Sequence, residues 1–540
     1  MIETDLLIIG GGANGAGIAR DAAGRGLKVV LCEKGDLASA TSSASSKLIH
    51  GGLRYLETYE FRLVRESLLE REVLLRLAPH IAWPMRFVLP HDTSMRPAWL
   101  IRAGLFLYDH LARRRRLPSS STLDLTRDPA GEPLRPDFAR GFDYADCWVD
   151  DARLVVLNAM DAAERGAVIL TRHECVSARP RDKGWRAVLQ GPDGDEVEVA
   201  AKVLVNAAGP WVSKVLGGVL GQNGPDRLRL IKGSHIVVPA IHGGSQAYIL
   251  QNPDRRIVFA IPYQGRFTLI GTTDVAYEGD PKDARIDAGE VDYLCASVNR
   301  YFRKQTRPGD VVWSYSGVRP LHDEGAANAP TASASFVNPS TVTRDYVFDL
   351  VGGSEGRPVL LSIFGGKITT YRRLAEHAMA KLGPHLGRAA GAAWTATRPL
   401  PGGDMPDGDF DAFLADLRRS LPGLPADLVA RYARAYGTRC RVLLDGATTT
   451  AGLGQDFGAG LFEAEVRYLC AHEWAQTADD ILWRRSKLGL EVGPEGRGRL
   501  EDWLARNVEC AGARLPAPVR RAAPPVPQAT DGQGLLRSAS

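Results

Sequence analysis

Apolar residues first cluster at Asp5-Leu6-Leu7-Ile8-Ile9, a short run suited to a strand buried on both faces. Gly10-Gly11-Gly12-Ala13-Asn14-Gly15 follows at once, and Ile18, Ala19, Ala22 and Ala23 then recur at helical spacing. Residues 28–32 form a second apolar run that ends in Glu33. Strand, helix and strand in this order predict a βαβ unit, and hence a parallel sheet. Residues 36–50 are a tract of small residues, placed where a loop would wrap a ligand. The pattern over 61–77 predicts a long amphipathic helix with charges spaced for i,i+4 pairs. Residues 97–116 are apolar and aromatic and then strongly basic, and 117–136 read as a Pro- and Ser-containing loop. Residues 203–209 predict another buried strand ending in glycine, and the alternation over 230–275 predicts antiparallel strands. Residues 325–340 read as an exposed loop. Residues 360–364 predict a strand, and Gly365-Gly366-Lys367 leads into a helix over 370–379. After Gly402-Gly403 the period is mostly helical to about residue 515, and the Pro/Ala/Ser-rich stretch 516–540 is expected to be disordered.

Composition narrows this picture. A chain of 540 residues suggests a few domains of about 150 residues each. The contents, 44% hydrophobic and 24% charged, are those of a soluble globular protein. The balance of 67 basic minus 63 acidic residues, +4, carries no overall signal for nucleic acid. The 7 cysteines include no CxxC pair, so no zinc ribbon or iron–sulfur centre is indicated, and no metal is expected. Scattered thiols suit a reduced, cytoplasmic protein. The N-terminus Met-Ile-Glu-Thr-Asp lacks the basic region of a signal peptide. No apolar run reaches roughly 18 residues, so any membrane role is expected to be peripheral. Residues 97–116 have two readings: a helix in a membrane interface, with Trp99, Leu100, Phe106 and Leu107 inward and Arg113–Arg116 near headgroups, or a core helix ending in a solvated basic turn.

Gly10, Gly12 and Gly15 match GxGxxG, in which the first glycine permits a tight turn, the second lets backbone approach a pyrophosphate, and the third packs the helix on the strand. The helix N-terminus supplies unpaired N–H groups to the phosphates. Glu33, 18 residues beyond Gly15, is placed to accept hydrogen bonds from a ribose. This predicts a dinucleotide site without separating NAD from FAD. Backbone at Gly209 and at Gly366–Thr369 could reach one large cofactor, with Lys367 and the helix dipole stabilising negative charge on a reduced flavin. The competing reading of 365–379 is an ordinary crossover with a surface lysine. His235 is a candidate general base and Arg319 a candidate anion clamp, with Arg54 and Tyr55 of the same standing. A core histidine and a structural ion pair are the plainer alternatives.

Taken together, these blocks closely resemble the FAD-dependent, aerobic type of glycerol-3-phosphate dehydrogenase over about residues 1–510. The resemblance rests on Ile9-Gly-Gly-Gly-Ala-Asn-Gly-Ala-Gly-Ile18, Ala40-Thr-Ser-Ser-Ala-Ser-Ser-Lys-Leu-Ile-His-Gly-Gly-Leu-Arg-Tyr-Leu56, Asp146-Cys-Trp-Val-Asp-Asp-Ala-Arg153, Ile231-Lys-Gly-Ser-His-Ile-Val-Val-Pro239, Ile270-Gly-Thr-Thr-Asp274, Tyr315-Ser-Gly-Val-Arg-Pro320, Phe364-Gly-Gly-Lys-Ile-Thr-Thr-Tyr-Arg372 and Ala478-Asp-Asp-Ile-Leu-Trp-Arg-Arg485. It implies an α/β fold: a Rossmann-like FAD domain, a glycine-oxidase-like substrate domain with a mixed sheet, and an all-helical C-terminal cap. The implied FAD domain is discontinuous, about 1–80, 145–215 and 345–400. The substrate domain takes about 81–144 and 216–344, and the helical domain 401–515. It further implies oxidation of sn-glycerol 3-phosphate to dihydroxyacetone phosphate, with electrons passing through FAD to a membrane quinone. Location would be peripheral, on the inner face of the cell membrane, with a homodimer as a candidate assembly. The flavin residues would be Gly10, Gly12, Asn14, Gly15, Glu33, Thr41, Ser42, Ser43, Ser45, Lys47, Leu48, Gly209, Gly365, Gly366, Lys367, Ile368 and Thr369. The substrate pocket would hold Arg54, Tyr55, His235, Arg319 and Lys367. An oxygen-using glycerophosphate oxidase, an amine-oxidising flavoenzyme of the same fold and a non-catalytic flavin-binding scaffold are the rival readings.

Overall fold

The computed structural model describes residues 1–93, 95–182, 184–222, 228–322, 345–353, 357–386 and 391–507, without the side chains of Arg54 and Thr58. The expected loop over 325–340 and the expected disordered tail 516–540 lie outside these residues.

The strand Ile2–Ile9 is buried along its second half because both its neighbours run parallel to it, Val29–Glu33 on one side and Glu196–Asn206 on the other. Between the first two strands lies α1 (Ala13–Gly24), as the βαβ pattern requires. The sheet order continues from Glu196–Asn206 to Val359–Phe364 and then Val347–Val351, and from Val29–Glu33 to Val168–Thr171. Helix α1 packs against Asp151–Glu164 and against Tyr371–Leu382. Gly17 is what allows the second contact, since a Cβ there would stand 2.8 Å from the Tyr371 ring.

A second, mixed sheet runs in the order Val275–Ala276, Leu228–Pro239, Phe267–Gly271, Ile257–Tyr263, Ala247–Gln251, Ala82–His91, Arg140–Val149 and Leu48–Ile49. Trp313–His322 pairs with the other edge of Leu228–Pro239. Strand Arg140–Val149 keeps this sheet going to Val149, so residues 145–149 belong to it rather than to the first sheet. The predicted loop 117–136 contains a strand, Ser121–Asp124, paired with Arg140–Val149. Its polar exposed face hides it from any apolar period: only Leu123 of the four is buried.

The long helix α2 (Phe61–Leu77) has the bounds its period predicts. Helix α3 (Ala98–His110) follows, and α4 (Asp151–Glu164) returns the chain to the first sheet. The C-terminal region is helical, with its own core around Leu417, Tyr432, Tyr436, Leu469, Ile481 and Leu500. It is tied to the first half by buried ion pairs, Arg153–Glu473 and Arg485–Asp36, the latter at 2.6 Å. Losing one partner of such a pair typically costs about 3–5 kcal/mol, because the other charge is left buried.

Candidate functional site

At the carboxyl ends of the parallel strands, Gly10 sits at φ +113 and a Cβ there would stand 2.5 Å from the Ala207 carbonyl oxygen. A Cβ on Gly15 would stand 1.9 Å from the Gly10 oxygen, so this turn admits only glycine at both positions. Gly12 is the N-cap of α1 and brings no capping side chain of its own, and the first turn carries no acidic residue. A helix start of that kind suits an anion. Ser42 Oγ lies 3.0 Å from the Ala13 N–H. Glu33, at the end of the second strand, accepts from the Gly11 N–H at 2.7 Å and the Gly35 N–H at 2.8 Å. Burial pushes its carboxyl upward in pKa, against the pull of those N–H groups. Gly209 is at φ +55. Gly365 and Gly366 are at φ +75 and +103, and Asn14 Nδ2 donates to the Gly365 oxygen at 3.2 Å. Lys367 caps the 3-10 turn Ile368–Thr370, which runs straight into the helix Tyr371–Leu382. Its Nζ stands 3.8 Å from the centroid of the Tyr55 ring. Arg54 lies on the turn Leu53–Thr58, and its side chain is outside the described residues.

The second sheet faces these groups with strands Leu228–Pro239 and Trp313–His322. Antiparallel register sets His235 opposite Tyr315 on one side and Gly271 on the other. Alternation then puts Gly233, His235, Tyr315, Gly317, Arg319 and Gly271 on the same face. The three glycines clear that face. A Cβ on Gly271 would stand 2.0 Å from the His235 ring, one on Gly233 would stand 2.4 Å from Arg319 Nη2, and one on Gly317 would stand 3.0 Å from Ala44. The His235 and Tyr315 rings stack with centroids 4.8 Å apart. Arg319 reaches Asp274 at 3.3 Å and donates to the Thr273 oxygen at 3.1 Å.

The loop 41–48 lies between the two halves. Thr41 Oγ1 donates to the Val318 oxygen at 2.7 Å, and the Tyr315 hydroxyl donates to the Ser45 oxygen at 2.8 Å. Ser46 Oγ is 2.9 Å from His235 Nε2. His235 Nδ1 is buried with no hydrogen-bond partner among the described residues. Burial first, then the positive charges of Lys47 and Arg319, bring the His235 pKa down to about 3, so the imidazole is neutral at physiological pH. Lys47 is fully buried, with its Nζ 2.9 Å from Asp151 Oδ2 and 2.9 Å from the Ser43 oxygen. Burial lowers its pKa to about 8 despite the Asp151 charge. Ser45 Oγ donates to the same carboxylate at 2.7 Å. Ser45 and Lys47, expected against the flavin, therefore turn their side chains to Asp151. Leu48 is buried in the core beneath the second sheet, and Thr369 meets the backbone of His50.

The structure thus brings His235, Arg319, Tyr55 and Lys367 to the same region as the glycine-rich turns. It adds Ser46, Asp151 and Tyr315, which sequence reasoning did not single out. All three stand inside recognised blocks, the one signal that could have drawn attention to them. For a dinucleotide-sized group the fit is good: two glycine turns that a Cβ would fill, a helix start without an acidic residue and a carboxylate at the strand end lie together at the carboxyl ends of the parallel strands.

Comparison with known proteins agrees. Residues 5–372 match the FAD dependent oxidoreductase family, and residues 393–506 match the C-terminal domain of alpha-glycerophosphate oxidase. A glycerol-3-phosphate dehydrogenase of Pseudomonas aeruginosa is 55% identical over 501 residues, covering 93% of this chain and 94% of its own. A D-erythritol 1-phosphate dehydrogenase of Brucella abortus is 54% identical over 501 residues, covering 93% and 97%. The crystal structure of a Bacillus halodurans glycerol-3-phosphate dehydrogenase, complexed with FAD, superimposes with a TM-score of 0.71 at 27% identity and covers 96% of this chain and 97% of that one. The chain belongs to the FAD-dependent oxidoreductases, in the group that contains the glycerol-3-phosphate dehydrogenases.

Proposed function

We propose that the protein oxidises sn-glycerol 3-phosphate to dihydroxyacetone phosphate and passes the electrons through FAD to a membrane quinone. The observation that carries this reading is the cleared face of the second sheet, where a neutral imidazole and a guanidinium share one side beneath the glycine-rich turns. Bound FAD supplies the acceptor for the carbon-bound hydrogen. Gly10, Gly12, Asn14 and Gly15 would hold its pyrophosphate, Glu33 a ribose, and Thr41, Ser42, Ser43 and Gly209 the middle of the molecule. Ser45, Lys47 and Leu48 would support that loop from behind. Gly365, Gly366, Lys367, Ile368 and Thr369 would border the flavin. A discontinuous FAD part at about 1–80, 145–215 and 345–400 would contain these residues, with 145–149 lent to the second sheet.

Arg319, with Arg54 and Tyr55, would bind the phosphate through charge-assisted hydrogen bonds. His235 would accept the hydroxyl proton at a ring nitrogen, a role its neutral form allows. A phosphate beside Arg319 offsets one of the charges that depress the His235 pKa, so substrate binding makes the base stronger. Lys367 contributes positive charge at the other wall. The near-equal identities to a glycerol-3-phosphate and a D-erythritol 1-phosphate enzyme make the longer polyol phosphate the second reading.

Among the described residues no helix is long and apolar enough to cross a membrane. Helix α3 packs through Leu105 and Tyr108, while Trp99 is 71% and Phe106 57% exposed. Leu100 and Leu107 are exposed beside them, and Arg113, Arg115 and Arg116 follow. An apolar face with an arginine run beyond it suits an anionic lipid surface, where a quinone would be met.

Anaerobic stopped-flow reduction tests the chemistry. His235→Ala should keep FAD bound and slow flavin reduction by at least about 100-fold. Arg319→Ala should lower kcat/KM for the phosphorylated substrate far more than for free glycerol. An unchanged reduction rate in the first variant, or equal losses on both substrates in the second, removes the corresponding role.

A further inference from the structure

The block at 478–485 has no part in the chemistry described so far, yet the segment that continues from it reaches the site. Lys487 is buried, at 4% exposure, although it belongs to the C-terminal helical region. Its Nζ stands 3.5 Å from Asp151 Oδ1 and 3.8 Å from Asp150 Oδ1. Asp151, fully buried, accepts from Lys47 Nζ at 2.9 Å, from Ser45 Oγ at 2.7 Å and from the Ser45 N–H at 3.3 Å. Ser46, held between those two residues, places its hydroxyl 2.9 Å from His235 Nε2. A second thread leaves the same segment: the Trp483 ring stacks on Trp313 at 4.4 Å, Trp313 lies 5.0 Å from Tyr315, and Tyr315 stacks on His235. Gly489 makes room for Trp483, since a Cβ there would stand 2.5 Å from its ring.

We propose that Lys487 is a positioning residue for His235, holding through Asp151 the Ser45-Ser46-Lys47 turn that orients the imidazole. The C-terminal helices are then part of the catalytic apparatus. This rests on the reading of His235 as the proton acceptor. Without Lys487 the Asp151 carboxylate keeps the loop contacts and the Ala152 N–H, at 2.9 Å, but loses the charge on its far side, so it can turn with Lys47 and Ser46 loses its register against His235. A position error of about 1 Å at a reacting group costs on the order of 100-fold in rate.

The electrostatics give a second handle. The groups facing Lys47 are Asp151 from α4 and Asp150 just before it, His235 from Leu228–Pro239, the Tyr315 ring from Trp313–His322, and Lys487. Burial lowers the Lys47 pKa most, and the Lys487 charge lowers it further. Removing Lys487 therefore moves the Lys47 titration upward from about 8.

The test uses the holoprotein. Lys487→Met should slow anaerobic flavin reduction by at least about tenfold and shift the limb of its pH profile near 8 to higher pH, and Lys487→Arg should restore most of the rate. In a cycle with His235→Ala, the double variant should be no slower than His235→Ala alone. A Lys487→Met protein that melts earlier but keeps the wild-type rate and pH profile overturns the proposal, as do losses that multiply with those of His235→Ala. Should the methionine variant not fold, Lys487→Gln is read in the same way. If His235→Ala itself reduces at the wild-type rate, the proposed base falls and this inference with it, whereas multiplying losses on top of a slow His235→Ala remove Lys487 alone.

Discussion

Gly271→Ala adds one carbon and aims it at His235. The new Cβ would stand 2.0 Å from His235 Cδ2, 2.6 Å from Cγ and 2.7 Å from Nε2. Carbon atoms rest at about 3.5 Å or more, so the ring must withdraw by about 1.5 Å. It has little freedom to do so: Tyr315 covers one face with ring centroids 4.8 Å apart, and Ser46 holds Nε2 at 2.9 Å. A withdrawal of that size away from Ser46 carries the contact past about 3.5 Å, beyond hydrogen-bond range. The expected loss in flavin reduction rate is on the order of 100-fold, and the overpacking should cost about 1–3 kcal/mol of stability. Anaerobic stopped flow reads the first and thermal unfolding of the FAD-loaded protein reads the second. His235→Ala supplies the control, because the added methyl then enters space the ring has left. In that background Gly271→Ala should slow reduction no further and should cost little stability. Reduction at the wild-type rate in Gly271→Ala, or additive losses in the pair, refutes the reasoning.

Two further outcomes follow from other parts of the molecule. Burial acts to raise the Asp480 pKa, but the guanidinium groups of Arg172, Arg484 and Arg485 overcome it and hold the pKa at about 2, below the ordinary 3.8. The stabilisation from this depressed carboxylate is complete above about 3.8 and is lost as pH falls towards 2. At roughly 1.4 kcal/mol per unit it amounts to about 2 kcal/mol. Asp480→Asn should therefore unfold at lower urea than wild type at neutral pH, with the gap closing below about pH 4, and a gap that persists into acid contradicts the sign. Paired Trp99→Ser and Phe106→Ser changes should reduce sedimentation with anionic vesicles by at least about tenfold, from the apolar area withdrawn, without slowing flavin reduction by glycerol 3-phosphate. Unchanged vesicle binding removes α3 as the membrane contact.

What the sequence made legible was local. The strand, glycine turn, helix and acid over residues 2–33 are contiguous, so their period and order expose them, and the helix over Phe61–Leu77 shows its bounds in its apolar stripe. The strand Ser121–Asp124 escaped notice because three of its four residues are exposed and polar pairing, not burial, holds it. Recognised blocks pointed to His235 and Arg319, but nothing in one dimension shows that they share a cleared face. That depends on register between Leu228–Pro239 and its two neighbours. The resemblance counts Lys47 among the flavin residues, and nothing in one dimension shows that its ammonium pairs with Asp151, 104 residues away in the chain. Lys487, two residues beyond a recognised block, gives no signal at all, because its meaning comes only from where the C-terminal helices dock.

Anaerobic titration of the FAD-loaded wild-type protein with sn-glycerol 3-phosphate, with D-erythritol 1-phosphate and an amino acid run in parallel, tests the account most directly. It predicts that about one equivalent of glycerol 3-phosphate bleaches the flavin and appears as dihydroxyacetone phosphate, with the four-carbon phosphate weaker and the amino acid inert. A flavin that stays oxidised with glycerol 3-phosphate, or is reduced only by one of the other two, contradicts it.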